Sequence, residues 1–403
     1  MQDSREPATI RQIPATIWVL GFVSMLMDIS SEMIHSLLPV FLVSVIGASM
    51  TSVGIIEGIA EATALIVRVF SGALSDFFRR RKPLLLLGYG LAAITKPIFP
   101  LTTSLYWVMS ARFIDRIGKG IRGAPRDALI ADISPPHLLG KSYGLRQTLD
   151  TVGAFIGPLI AIILMIVLSD NLRLIFWIAT IPAAIAVTVL FFSVKEPEHK
   201  HEPHKTNIPV HGGEVKQLSV AYWQIVVVNA LLMLAQFSEA FLILRAQNLG
   251  MSLTLIPLVL VAMNIAYAIS AYPAGFISDL LSRRSLIAVG IIILIMADIL
   301  LANVANIWQV MLGVILWGFY MGFTRGVFAA WVAETAPQQL RGTAFGIFSF
   351  VSGIALLLAS MYAGWIWDQF GPHVSFYTSA GFALLALFTL LIVRIPPLIL
   401  SSK

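Results

Sequence analysis

The sequence predicts an all-α membrane protein, with twelve transmembrane helices arranged as two pseudo-symmetric six-helix bundles. Three observations predict it: an extreme apolar composition, twelve separable hydrophobic runs with alternating loop charge, and an internal repeat. Of the 403 residues 58% are hydrophobic and only 12% charged, against about 25% charged in a soluble domain. Mean hydropathy is +0.87. A water-soluble fold has nowhere to hide that much apolar surface, whereas a bilayer does. The formal charge of +6 does not point to nucleic acid, because the basic residues cluster at the ends of hydrophobic runs, as the positive-inside rule expects. With no cysteine, disulfides and thiolate metal sites are excluded. The polar, mixed-charge start (Met1 to Pro14) has no cleavable-signal pattern.

A spanning helix needs about 20 largely apolar residues. Runs of that kind cover 16–46, 52–74, 83–103, 105–132, 140–168, 171–194, 220–247, 253–279, 285–303, 307–334, 340–366 and 372–394. The fourth is the least apolar and hydropathy alone would miss it. It is needed to keep the loop charges alternating. Loop 2–3 carries Arg79, Arg80, Arg81 and Lys82, loop 8–9 carries Arg283 and Arg284, and loop 10–11 carries Arg341. The loops at 47–51 and 103–105 have no basic residue. With an even helix count this sets both termini in the cytoplasm and the chain in an inner (cytoplasmic) membrane. The polar stretch 195–219, with His199, His201, His204 and His211, reads as a solvated linker. It divides an N-terminal bundle, 1–194, from a C-terminal bundle, 220–403.

The repeat runs from Gly72-Ala-Leu-Ser-Asp76 to Gly275-Phe-Ile-Ser-Asp279, an offset of 203 residues, each copy followed by arginines. The same offset takes Arg122-Gly123 to Arg325-Gly326. Duplication of this kind marks two halves related by an axis along the membrane normal. The Gly-x-x-x-Asp closing run two, with the basic cluster after it and its second copy after run eight, resembles the loop 2–3 motif of the major facilitator superfamily. The likeness covers essentially the whole chain. It departs from the family at Phe77, where Arg is usual, and at Arg79, where Gly is usual. Gly153-Ala-Phe-Ile-Gly157-Pro158 partly resembles the helix-five signature of proton-driven exporters, with Ala161 in place of a further Gly. The resemblance implies a solute carrier that is not an enzyme. Gly72, Asp76, Arg80, Arg126, Asp127, Gly275 and Asp279 are then expected to gate an alternating-access cycle, with Arg80 or Arg81 pairing with Asp127 or Asp132.

An ionisable side chain at bilayer depth costs about 2.5–3.5 kcal/mol on insertion scales, so it tends to mark a pathway. Run one contains Asp28, Glu32 and His35, spaced by four and seven residues and therefore on one helix face. Two neighbouring acids near the midplane suit a proton-loading group. Run four carries Arg112, Asp115, Arg116, Lys119, Arg122, Arg126 and Asp127. Its five cations occupy one broad face against two acids, so they line water, meet acids from other helices or bind an anion. Gly118, Gly120 and Gly123 keep that helix slim, and Pro125 is positioned to kink it. Further buried charges are Glu57, Glu61, Arg68, Lys96, Arg146 and Asp150 in the first half, and Glu239, Arg245, Asp298, Arg325 and Glu334 in the second. Gln236, Asn264, Tyr267, Tyr272, Trp317, Tyr320 and Trp331 offer aromatic and hydrogen-bonding contacts there.

These readings combine into one expectation. The chain is a monomeric, proton-coupled carrier of a small anionic or zwitterionic organic solute, working in a lipid bilayer without cofactor, metal or nucleic acid. Asp28, Glu32, Asp150 and Glu239 handle protons. His35, Arg112, Arg116, Lys119, Arg122, Arg325, Gln236, Tyr267 and Tyr320 contact solute. The alternatives are a proton-driven exporter of drugs or metabolites, and a metal-ion carrier that uses Asp28, Glu32 and His35 as ligands.

Overall fold

A computed structural model describes residues 12–78, 80–194, 217–278, 282–337 and 340–393. Twelve helical spans follow in order among the described residues: α1 Ala15–Val45, α2 Met50–Phe78, α3 Arg81–Leu101, α4 Leu105–Ile133, α5 Leu139–Val167, α6 Leu172–Ser193, α7 Val220–Asn248, α8 Leu258–Ser278, α9 Arg283–Ala302, α10 Ile307–Thr335, α11 Arg341–Phe370 and α12 Pro372–Ile392. Among the described residues there is no strand. Ten spans are long and apolar enough to cross a bilayer on composition alone. α4 is not among them: it carries the dense charges noted above, and hydropathy fails there because Arg112, Asp115, Arg116, Arg122 and Arg126 are buried in protein.

Three spans are interrupted. In α1 the regular helix ends at His35 and resumes at Leu38, where Pro39 has no N–H to continue the ladder. In α3 it breaks between Thr95 and Ile98, at Lys96-Pro97. In α7 residues 236–238 leave the helix with no proline present, Gln236 lying extended at φ −96°, ψ 92°. α4 runs unbroken through Pro125.

The chain divides into two compact units. One comprises Met1–Gly47, Thr63–Asn207 and Ser252–Leu258, the other Ala48–Ala62, Ile208–Met251 and Val259–Lys403. Within the first, α1 packs chiefly on α5 and α6, and α3 on α4 and α6. Within the second, α7 packs on α11 and α12, and α9 on α10 and α12. The same four pairs recur six helices later, so the sequence repeat is also a packing repeat.

The core of the first unit joins Leu20, Val23 and Met27 of α1, Leu85, Tyr89 and Ala92 of α3, Leu129 and Ile130 of α4, and Ala183, Ala186 and Leu190 of α6. The core of the second is aromatic. The Phe237 ring lies 5.3 Å from that of Phe376 and 5.7 Å from that of Trp317, and Phe241 lies 5.7 Å from Trp367. Large apolar side chains such as Ile94, Leu101, Ile163, Phe192, Ile269 and Phe388 point outward, an arrangement that only a hydrocarbon surround makes favourable.

Each unit also receives the first turn of a helix. The Asp368 carboxylate, on α11, accepts hydrogen bonds from the Met50 and Thr51 amides at 3.0 and 2.8 Å and from the Thr51 hydroxyl at 2.6 Å. It thereby caps the exposed donors at the start of α2. In the first unit the Thr254 hydroxyl donates to Asp170 at 2.9 Å.

Candidate functional site

The charges of the first unit are organised by α4, which glycines hold between two neighbours. A Cβ at Gly118 would fall 2.5 Å from the Gly88 carbonyl oxygen of α3, and one at Gly120 would fall 2.7 Å from Val67 of α2. Both distances are impossible for a real side chain, so only glycine permits the approach. α4 is thus buried along most of its charged side, where Arg116 and Arg126 meet acids.

At one end of the row, Lys96 at the α3 break donates to Asp115 at 2.9 Å and to Ser31 at 3.0 Å. Its side chain is 2% exposed and that of Asp115 5%. Arg116 Nε stands 4.0 Å from the other Asp115 oxygen. Further along, Arg126 lies 3.5 Å from Asp150 and 3.6 Å from Asp127, and donates to Ser24. Arg146 holds Asp150 at 2.8 Å and approaches Asp127 to 3.8 Å. Arg68 reaches Asp127 at 3.2 Å, and the Tyr143 hydroxyl donates to its carbonyl.

Arg122 differs from these. It is 4% exposed, and its guanidinium lies 4.8 Å from the centre of the Tyr89 ring. Neither its Nη1 nor the Tyr89 hydroxyl finds a hydrogen-bond partner among the described residues. Lys119, by contrast, is exposed, and it acts electrostatically on both Asp28 and Glu32.

α5 seats the acids of α1. A Cβ at Gly153 would meet the Met25 carbonyl at 2.7 Å and Asp28 Cβ at 3.1 Å. One at Gly157 would meet Glu32 Cβ and the Ile29 carbonyl, both at 2.8 Å. This glycine pair therefore brings α5 onto α1 where Asp28 and Glu32 project. His35 Nδ1 lies 3.5 Å from Glu32. Among the described residues no three His, Asp or Glu side chains converge as metal ligands. Asp28, Glu32 and His35 share a helix face but do not form one coordination site.

In the second unit the predicted residues gather at the α7 break. The Tyr320 hydroxyl donates to Gln236 at 3.0 Å. Arg325 stands 3.6 Å from Glu239, with its guanidinium 5.9 Å from the centre of the Tyr267 ring. Two carbonyls left free by the break are taken up locally: the Tyr362 hydroxyl donates to that of Leu234, and Ser379 Oγ lies against that of Ala235, both at 2.5 Å. The Ser238 amide donates to Ser360 at 3.1 Å. Trp317 belongs to the core, Trp331 is also buried, and Tyr272 is 83% exposed.

Of the expected gating residues, Arg80 is exposed, while its neighbour Arg81 pairs with Asp132 at 3.4 Å and donates to Ser75 at 2.5 Å. Asp127 belongs to the Arg68, Arg126 and Arg146 cluster instead. A Cβ at Gly72 would sit 3.5 Å from Ala124 Cβ, an ordinary contact, and one at Gly275 would meet nothing within 4 Å. Close helix approach therefore belongs to Gly88, Gly118 and Gly120 rather than to Gly72. Asp279 lies outside the described residues, as do Arg79, the Asp76 side chain and the linker histidines. Sequence reading missed Ser24, Ser31, Tyr89, Ser360, Tyr362 and Ser379, small or aromatic polar residues that gave no signal until packing brought them to a charge or a broken helix.

The pattern of the Major Facilitator Superfamily matches residues 20–245 and 225–402. The chain belongs to that superfamily. It is 32% identical over 382 residues to an uncharacterised MFS-type transporter of Methanocaldococcus jannaschii, covering 93% of this chain and 94% of that one. It is 23% identical to the inner membrane transport protein YajR of Escherichia coli, over 96% and 85% of the two chains. Among solved structures, a point mutant of the nucleoside transporter NupG superposes with a TM-score of 0.79 at 12% identity, over 93% of this chain and 99% of that one. At that identity the likeness speaks for the fold alone. The protein is a membrane transporter with the two-bundle, twelve-helix architecture of its superfamily.

Proposed function

We propose that this transporter couples protons to the movement of a small organic anion or zwitterion by alternating access, with residues 1–194 and 220–403 as the moving halves and 195–219 as their linker. The observation that carries the reading is Arg122 of α4: its buried guanidinium lies over the Tyr89 ring, and its Nη1 keeps a donor unused among the described residues. A buried cation with an unmet donor is costly unless an anion offsets it. A carboxylate or phosphate on the solute supplies what that donor lacks.

Protons are assigned to Asp28, Glu32, Asp150 and Glu239. Each lies near basic groups, so gaining or losing one proton changes which ion pairs are satisfied and hence which state is favoured. Gln236, Tyr267, Tyr320 and Arg325 are assigned to solute contact, as are His35, Arg112, Arg116 and Lys119. The reading carries with it a monomer in the inner membrane with both termini cytoplasmic, on the loop charges. Export of drugs or metabolites is the second reading. The Gly153–Gly157 pair does not favour it, since its contacts are those of helix packing.

The anion assignment is tested by thermal unfolding of the purified protein against a panel of monocarboxylates, amino acids, phosphate esters and neutral sugars. A true substrate at 100 times its Kd stabilises by about 2.7 kcal/mol. We expect at least one anion to do so, and Arg122→Met to weaken it by roughly 10- to 100-fold, the worth of one charge-assisted hydrogen bond. If only neutral solutes stabilise, the anion reading fails.

A further inference from the structure

Asp298 of α9 is 0% exposed in a helix that is otherwise apolar from Leu286 onward. Trp317 Nε1 donates to its Oδ1 at 3.0 Å, and Ser379 Oγ lies 2.6 Å from its Oδ2. That same Ser379 oxygen is 2.5 Å from the Ala235 carbonyl oxygen. A serine hydroxyl has one hydrogen. A carbonyl has none to give, so the Ser379 hydrogen belongs to the Ala235 contact. The 2.6 Å contact to Asp298 then needs its hydrogen from the carboxyl group. With an ionised Asp298 one of these two short oxygen–oxygen contacts would face acceptor to acceptor.

The groups around it agree. Tyr320 of α10 and Tyr362 of α11 lie within electrostatic reach of Asp298, and both are neutral donors. The Arg245 guanidinium from α7 is spent on the Leu301 and Ala302 carbonyls and on Asn248. Arg325 is paired with Glu239, and on α12 Tyr377 bonds Asn303. Among the described residues no cation pairs with Asp298, and a buried carboxylate without one costs several kcal/mol.

We propose that Asp298 is a second proton-binding site, held as a neutral acid in the chain Asp298 Oδ2–H to Ser379 Oγ–H to Ala235 O, and that its proton fixes the break in α7. Loss of the proton redirects the Ser379 hydrogen to the carboxylate and frees the Ala235 carbonyl. The next residue, Gln236, carries the Tyr320 contact, so the protonation of this site is linked to the geometry of the polar cluster. The inference stands apart from the assignment of Asp28 and Glu32, and its test needs no solute.

The test is infrared spectroscopy of the full chain reconstituted in lipid at neutral pH. A protonated-carboxyl C=O band is expected in the wild type and absent in Asp298→Asn, an isostere that keeps the neutral form. Superimposable spectra in that region overturn the proposal. Ser379→Ala serves even if the first variant does not fold: the band moves to higher frequency as its acceptor is lost, and an unmoved band is equally fatal. The link to α7 is read by amide hydrogen exchange over residues 232–239. Protection factors, which remove the intrinsic base-catalysed rise in exchange, fall over these residues as increasing pH removes the band, and protection that stays constant through that loss overturns the link.

Discussion

Asp115→Asn should destabilise this protein by about 3–5 kcal/mol, among the largest effects a single substitution can have here. The side chains of Lys96 and Asp115 are almost wholly buried and meet at 2.9 Å. Replacing the carboxylate by an amide keeps an acceptor but removes the counter-charge, leaving the ammonium with only neutral acceptors such as the Ser31 hydroxyl, and breaking one side of a buried pair carries that cost. The Arg116 contact at 4.0 Å is lost as well. Replacing both partners behaves differently, because an apolar pair of similar volume is often neutral or better. Lys96→Met combined with Asp115→Leu should therefore recover most of the loss, less the share owed to Arg116. Thermal unfolding of the two singles and the double forms a cycle that reads this coupling directly. A cost below about 1 kcal/mol for Asp115→Asn would mean that water reaches the pair, and the dry core drawn here would be wrong.

The second large effect separates two glycines on one helix. In an isolated helix, Gly→Ala gains about 0.5–1 kcal/mol. At Gly144 of α5 nothing lies within 4 Å of the new methyl, so Gly144→Ala should be neutral or stabilising. At Gly157 the methyl would fall 2.8 Å from both Glu32 Cβ and the Ile29 carbonyl oxygen. The carbonyl is backbone and cannot step aside, so α1 and α5 must part. Overpacking of this kind costs about 1–3 kcal/mol, which exceeds the propensity gain and reverses the sign. Gly157→Leu should be worse and should lower transport by displacing Glu32. Unfolding midpoints for the three variants check the order.

The sequence made part of this legible. The charged face of α4 could be read because 3.6-residue periodicity places Arg112, Asp115, Arg116, Arg122 and Arg126 together, and burial of these five follows from it. Which acid each cation meets could not be read, since Lys96 and Asp115 are joined by the packing of α3 on α4. The α1 and α3 interruptions have prolines beside them. The α7 break has none: it is held by Ser360, Tyr362 and Ser379, more than 120 residues away along the chain. Hydropathy lost α4, because a window average cannot know that a charge faces a glycine-lined neighbour. Asp298 stood out as a lone acid in an apolar run, but its partners Trp317 and Ser379 come from helices that no local pattern connects to α9.

The central claim is that acids of α1, seated on α5, carry the coupling proton. Uptake into proteoliposomes under an imposed pH gradient measures it. One pH unit is worth about 1.4 kcal/mol per proton, or roughly tenfold accumulation of a co-moving solute. The account predicts that wild type accumulates its solute in proportion to the gradient, while Asp28→Asn and Glu32→Gln still exchange solute but no longer accumulate it. Gradient-driven accumulation at the wild-type level in both variants would contradict it.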